Sequence, residues 1–283
     1  MMKRNISNAC AGILLAASLI GGCATLHTTS GGTVGVERRQ TMMVSSEEVN
    51  KAAAQAYQEV IAEARQKNLL NRNSAQVQRV RRITDRLVAQ TPAFREDALK
   101  WPWEIHVITS NEINAWVMPG GKMAVYTGLI EKLNLTDDEL AIVIGHEIAH
   151  ALREHGREKV SQAAGVGTAA AVGGAIIGAV TGLGDVGTRA GRSVLSTVGD
   201  LAFMRPNSRV MEQEADRIGV ELAARAGFNP RAAISFWEKI DKISSGSPPQ
   251  WLSTHPSYET RMADLRVYAE RVMPLYEAAR QRR

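Results

Sequence analysis

Apolar positions along the chain follow two rhythms. Val77, Val80, Ile83, Leu87 and Val88 recur at three- and four-residue intervals, which predicts a helix over 74–90 with those residues facing a core. Ahead of it, Ser45 and Glu48 stand at capping-box spacing before an Ala-rich stretch, which predicts a helix from Ser45 to about Lys67. Between 104 and 127 the rhythm shortens. Residues 104–109, 113–118 and 123–127 read as three short strands, separated by Ser110-Asn111 and by Pro119-Gly120-Gly121. Thr136-Asp137-Asp138-Glu139 then forms a second capping box, and the apolar run behind it predicts one long helix over 137–162. After Arg205-Pro206-Asn207 come a helix over 208–225 closed by Gly227, another over 230–243, a loop over 244–249 and a last helix beginning near Pro256. The expected fold class is α+β and predominantly helical, with one domain over 45–283 and no internal repeat.

Three segments fall outside this pattern. Residues 1–8 carry Lys3 and Arg4 without an acidic residue, 9–20 form an apolar run, and Ile20-Gly21-Gly22-Cys23 follows. This reads as a secretory signal (1–22) ending in what resembles a bacterial lipobox, with Cys23 as the lipidated residue; the run falls short of the ~20 residues a membrane span needs. Residues 23–44, polar and containing Gly31-Gly32, read as a flexible tether. The stretch 160–184 has no charged residue and is dominated by Gly and Ala, within an expected insertion at about 163–200. A buried or surface-hugging helical pair and a mobile flap both fit it better than a single crossing.

Composition narrows the chemistry. With 283 residues, 45% hydrophobic and 22% charged, the chain can fill a core and is not of the disordered class. Cys10 and Cys23 are its two cysteines, so neither a disulfide framework nor a thiolate metal site is available, and any metal must use His and carboxylates. Loss of Lys3 and Arg4 takes two from the formal charge of +5 and leaves +3; the remaining basic residues are spread out until Arg280-Gln281-Arg282-Arg283. No nucleic-acid partner is expected, and at most an anionic lipid surface is favoured.

The candidate chemistry lies in His146-Glu147-Ile148-Ala149-His150. Two histidines at i and i+4 share a helix face and can meet at one zinc ion, with the intervening Glu placed as general base. Such a motif arises by chance in on the order of 1% of chains this long, so a third ligand decides. A metzincin would need Gly and His where this chain has Arg153 and Gly156. His155 is one residue off that spacing and reads as a helix-end or supporting histidine. The better candidate is Glu212, with Asp216 four residues on: one carboxylate can bind zinc while the other accepts the N–H of a ligating imidazole.

On these residues the chain resembles the gluzincin zinc metallopeptidases, the family of HtpX, the CaaX prenyl endopeptidases and BepA, over about 75–270. It looks closest to the lipid-anchored periplasmic members. The family's E-x-x-A-D corresponds to Glu212, Ala215 and Asp216, which identifies Glu212 rather than Glu214 as the ligand. Asn114-Ala115 with Pro119-Gly120-Gly121 resembles the strand and turn lining the family's substrate cleft, and Thr254-His255-Pro256, followed by Arg261, resembles its C-terminal H-P motif. The resemblance implies a zincin-type domain with the small sheet beside the H-E-x-x-H helix. HtpX and the prenyl endopeptidases span the membrane several times, whereas this chain offers a lipid anchor only.

Together these features lead to the expectation of one Zn2+ on His146, His150 and Glu212, with Glu147 taking the proton of a water that attacks the peptide bond. His255 is a candidate oxyanion donor, a candidate inhibitory fourth ligand, or a residue fixing the turn before Pro256. Strand 113–118 is a candidate edge for pairing with an extended substrate. The leading expectation is an endopeptidase anchored on the periplasmic side of an outer membrane, to which Ala24 after Cys23 points in a Gram-negative host. Its substrates would be unfolded or misassembled envelope polypeptides, with outer-membrane assembly factors as candidate partners. Against it stand a zinc-binding, chaperone-like or adaptor lipoprotein with weak or regulated proteolysis, and a structural lipoprotein without metal.

Overall fold

The computed structural model describes residues 24–163, 206–244, 249–257 and 260–282. The expected signal 1–22, Cys23 and nearly all of the Gly/Ala-rich insertion lie outside the described residues.

Helices α1 (Ser46–Gln66) and α2 (Ser74–Val88) lead into a three-stranded sheet of β3 (Glu104–Ile108), β4 (Ala115–Met118) and β5 (Lys122–Tyr126). The short strands β1 (Ala24–Leu26) and β2 (Gln40–Met42) pair antiparallel ahead of them. The sheet order is β3-β5-β4, with β3 parallel and β4 antiparallel to β5. Strand β4 is therefore an edge strand among the described residues. The turn Pro119-Gly120-Gly121 reverses the chain between β4 and β5; both glycines have positive φ (78° and 77°), which side-chain-bearing residues rarely adopt.

Helix α3 (Thr127–Lys132) follows, then α4 (Asp137–Leu152) and α5 (His155–Ala163). After the insertion come α6 (Arg209–Arg225), α7 (Ala232–Ile243), the short α8 (Gln250–Thr254) and α9 (Arg261–Gln281). Thr136 and Glu139 form the reciprocal capping box that starts α4. From Glu139 to Leu152 every residue of α4 is buried, so the helix carrying the H-E-x-x-H motif is the axis of the core rather than a surface element. Leu140, Ile144 and Ile148 share one hydrophobic cluster with Val80 and Leu87 of α2 and with Ile218 and Leu222 of α6.

Three expectations are corrected. The segment read as a tether is folded: Val34, Val36 and Met42 are buried, Val34 N–H donates to Glu221 Oε2 at 3.0 Å, and Gln40 Nε2 donates to the Arg153 carbonyl at 2.8 Å. Its polar residues find partners far along the chain, which local composition does not reveal. The helix expected over 137–162 breaks at Arg153 and Glu154, where Glu154 has φ 49°, and α5 starts as a separate helix at His155. Arg153 is fully buried at that break and spends its guanidinium on Glu214 and on Thr28, Thr29 and the Arg38 carbonyl. The last long helix begins at Arg261, not near Pro256, with Thr260 as its N-cap, whose carbonyl accepts from Asp264 N–H at 2.9 Å. Among the described residues, no helix is long and apolar enough to cross a membrane.

Candidate metal centre

Helices α4 and α6 cross at two glycines. A Cβ on Gly145 would stand 2.9 Å from the Gly219 carbonyl oxygen, so only bare backbone permits this approach. It carries the side chains of Glu212 and Asp216 on α6 up to His146 and His150 on α4. His146 Nε2 lies 3.0 Å from His150 Nε2 and 3.5 Å from Glu212 Oε2, and His150 Nε2 lies 3.3 Å from Glu212 Oε1. His255, at the end of α8, brings Nδ1 to 3.2 Å from both His146 Nε2 and Glu212 Oε1. Ligand atoms of these four buried residues all lie within 4.8 Å of one another.

Hydrogen bonding at the outer ring nitrogens shows what this cluster accepts. Asp216 Oδ1 stands 3.0 Å from His146 Nδ1, and a carboxylate can only accept, so Nδ1 carries the proton and Nε2 a lone pair. His155 Nε2–H donates to Glu214 Oε2 at 3.0 Å, which leaves His155 Nδ1 to accept from His150 Nδ1–H at 2.7 Å. His150 Nε2 therefore also presents a lone pair. With their outer nitrogens so engaged, neutral His146 and His150 turn two lone pairs toward the Glu212 carboxylate, an arrangement that calls for a cation. Their spacing matches the roughly 3.3 Å between ligand atoms that tetrahedral zinc bonds of ~2.0–2.1 Å require.

Without a metal, the field at the cluster draws in that cation as a proton on His146. Burial works against charge on His146, yet Glu212 and Asp216 hold its imidazole up to about 9. Burial likewise opposes ionisation of Glu212, but His255 and His146 hold its carboxyl well below the usual range. Burial lowers His150 well below its ordinary value and His255 to about 4. The centre thus favours one positive charge held by otherwise neutral imidazoles.

A profile of Peptidase family M48 matches residues 74–269, which span every member of this cluster. The chain belongs to peptidase family M48. It is 40% identical over 168 residues to the mitochondrial metalloendopeptidase OMA1 of Bos taurus, covering 58% of this chain and 32% of that protein. It is 32% identical over 227 residues to the mitochondrial metalloendopeptidase OMA1 of Schizosaccharomyces pombe, covering 80% and 62%. To the beta-barrel assembly-enhancing protease of Escherichia coli (strain K12) it is 31% identical over 184 residues, covering 63% and 37%. The matched part spans about a third of the length of the bovine and bacterial relatives.

Within this M48 centre, Glu147 follows His146 on α4 and is buried; its Oε1 lies 3.4 Å from His255 Nε2. Burial pushes its carboxyl up to about 8, while His146, Lys159 and a hydrogen bond from the Val117 backbone pull the other way. Arg261 bridges the two carboxylates of α6, with Nη1 3.1 Å from Glu212 Oε2 and Nη2 2.7 Å from Asp216 Oδ1. A cleft opens over the centre, lined by Glu147, His150 and His255 and by Trp116 to Gly120 of the β4 edge and its turn. Pro119 and Gly120 thus face the cleft. Asn114 is buried just ahead of β4, where its carbonyl accepts from Tyr126 N–H at 3.0 Å, and Ala115 is fully buried in the core; neither lines the cleft. Cys23 lies outside the described residues.

Other contacts had weak or no signals in the sequence. Asn207 Nδ2 donates to Glu212 Oε1 at 2.9 Å, and Lys159 Nζ donates to Asn207 Oδ1 at 2.9 Å. Trp251 stacks on His255 with ring centroids 4.0 Å apart. Asn207 precedes the Ser208 N-cap of α6, so its position before a capping serine was the one local cue.

Proposed function

We propose that this chain is a zinc-dependent endopeptidase of the bacterial envelope that hydrolyses peptide bonds of unfolded or misassembled proteins. The observation that carries the hydrolytic part is the convergence of two imidazole lone pairs and the Glu212 carboxylate beside the buried Glu147, in a cleft bordered by the β4 edge strand.

A zinc ion held by His146, His150 and Glu212 supplies Lewis acidity and lowers the pKa of water toward about 7. Glu147 takes a proton from the attacking water as its oxygen bonds to the scissile carbonyl carbon. When the C–N bond breaks, Glu147 returns that proton to the leaving amine. Burial raises the Glu147 carboxyl in the metal-free site and a cation held beside it would lower it again, which leaves a carboxylate free to accept the proton of water. Strand β4 holds an extended peptide through main-chain hydrogen bonds, which demands little of its sequence and suits unfolded substrates.

The envelope assignment rests on the lipobox-like Ile20-Gly21-Gly22-Cys23 and on the name of the E. coli relative, a beta-barrel assembly-enhancing protease. Lipid on Cys23 would anchor the chain to the periplasmic face of the outer membrane, and assembly factors there are its natural partners. The test is cleavage of casein by zinc-loaded protein, abolished by EDTA and by Glu147→Gln with zinc retained. Envelope proteomes of cells carrying wild-type and Glu147→Gln chains would then identify substrates. Full activity of Glu147→Gln would sink the mechanism, and identical proteomes would sink the envelope role.

The second reading, a zinc-binding adaptor with weak or regulated proteolysis, is favoured by one observation. His255 Nδ1 stands at ligand-to-ligand distance from His146 Nε2 and Glu212 Oε1, where a fourth protein ligand closes a structural site. Zinc binding without EDTA-sensitive casein cleavage would select it.

A further inference from the structure

The two ligand imidazoles are aimed by different means. Asp216 reaches His146 directly, whereas His150 is held through a second histidine, His155, whose far nitrogen donates to Glu214. What fixes Glu214 comes partly from the folded N-terminal segment. Arg38, between the buried Val36 and the buried Gln40, donates from Nε to Glu214 Oε1 at 2.7 Å and from Nη2 to Oε2 at 3.0 Å. Its Nη1 and Nη2 also reach Glu158 Oε1 and Oε2 of α5 at 2.6 and 2.8 Å. Arg153 adds two donations to Glu214, each at 3.2 Å. Both oxygens of Glu214 are thus pinned by planar guanidinium groups, and the carboxylate cannot swing without breaking several charge-assisted bonds at once.

We propose that Arg38, Glu214 and His155 are positioning residues for the zinc ligand His150, so that the N-terminal segment 28–42 is a working part of the metal site. The inference rests on the zinc reading above. An imidazole can turn about its Cβ–Cγ bond, and an acceptor at Nδ1 is what keeps the Nε2 lone pair on the metal. Removing Arg38 leaves Arg153, at its longer contacts, as the one guanidinium on Glu214 and loosens the end of the relay. The same segment has an independent anchor, Val34 N–H on Glu221 Oε2, which touches neither relay nor ligand and so serves as a control.

The test uses the full chain and two readouts independent of turnover: zinc affinity by competition with a chromophoric chelator, and the visible spectrum of the cobalt-substituted protein. Arg38→Ala and His155→Ala are expected to weaken zinc binding roughly 10- to 100-fold, the range for partners behind a metal ligand, and to alter the cobalt spectrum. His155→Asn, whose amide oxygen replaces the Nδ1 acceptor, should recover most of that loss. Glu221→Gln, which keeps an acceptor oxygen for Val34 N–H and changes only the pairing with Arg225, should leave both readouts near wild type. Wild-type affinity and spectrum in both Arg38→Ala and His155→Ala would overturn the proposal. If Arg38→Ala does not fold, the His155→Ala and His155→Asn pair decides alone. A wild-type chain that binds no zinc removes the reading beneath the proposal, and is distinguishable because it shows before any variant is compared.

Discussion

Gly219 of α6 lies against the backbone of His146 on α4: a Cβ at Gly219 would stand 2.8 Å from the His146 nitrogen. The first proposed zinc ligand and the helix carrying Glu212 are thus held at a separation that no side chain at this position permits. Gly219→Ala should force the helices apart, costing about 1–3 kcal/mol as overpacking does. Because the strain falls on a ligand's own backbone, zinc affinity should fall as well. Thermal melts with and without zinc, together with chelator competition, would check both; unchanged zinc affinity alongside lowered stability would show that the crossing supports the fold alone.

His255 presents Nδ1 to His146 and Glu212 and Nε2 to Glu147, with Trp251 stacked on its ring. A ring nitrogen at ligand spacing shields the corner where water must enter. The expected result of His255→Ala is retained zinc with raised basal cleavage of an unfolded protein. Lost turnover with zinc retained would instead make His255 an oxyanion donor, and lost stability alone would make it a support for the turn before Pro256.

Acid should loosen the chain at the relay behind His150. Burial alone would raise the Glu214 carboxyl, but hydrogen bonds from His155 and Arg38 outweigh it and hold the group at about 2, below its ordinary 4.5. A carboxyl depressed by folding stabilises the protein fully above its unfolded pKa, and that contribution fades as pH falls from about 4.5 through about 2. Denaturant midpoints should therefore drop across that window. Glu214→Gln, less stable at neutral pH, should show a shallower drop there; parallel profiles would refute the assignment.

How much of this was legible in the sequence depends on the distance between partners. Thr136 and Glu139 announced the start of α4 because a capping box is local, and His146 with His150 announced a ligand pair because helical spacing fixes their shared face. The same periodicity put Glu212 and Asp216 on one face, while the choice of Glu212 over Glu214 came from the resemblance to the family's E-x-x-A-D. Arg38 was not: a single arginine in a polar stretch gives no sign that Glu158 and Glu214 wait for it across the fold, so the segment read as a tether. The break at Glu154 was hidden too. Its cause is the burial of Arg153 against Glu214 and the N-terminal segment, while the local sequence continues to favour helix.

Arg261 is almost fully buried, with its guanidinium 3.9 Å above the Trp237 ring and bridging Glu212 and Asp216. Two carboxylates converging on one spot repel unless positive charge lies between them, and Arg261 supplies it together with the cation of the histidine cluster, a proton on His146 in metal-free protein and zinc where it is bound. Removing one should make the protein depend on the other. Breaking a buried pair by deleting one partner costs about 3–5 kcal/mol, so Arg261→Ala should approach that loss in metal-free protein. With zinc bound, the ion still neutralises Glu212, and the loss should be smaller. Denaturant titrations of wild-type and Arg261→Ala protein, each in EDTA and in excess zinc, form a two-by-two comparison. A gap between variants that closes substantially on zinc addition is the expected outcome. A gap of equal size in both conditions would mean that Arg261 acts through its packing on Trp237 and not through the charge balance of the centre.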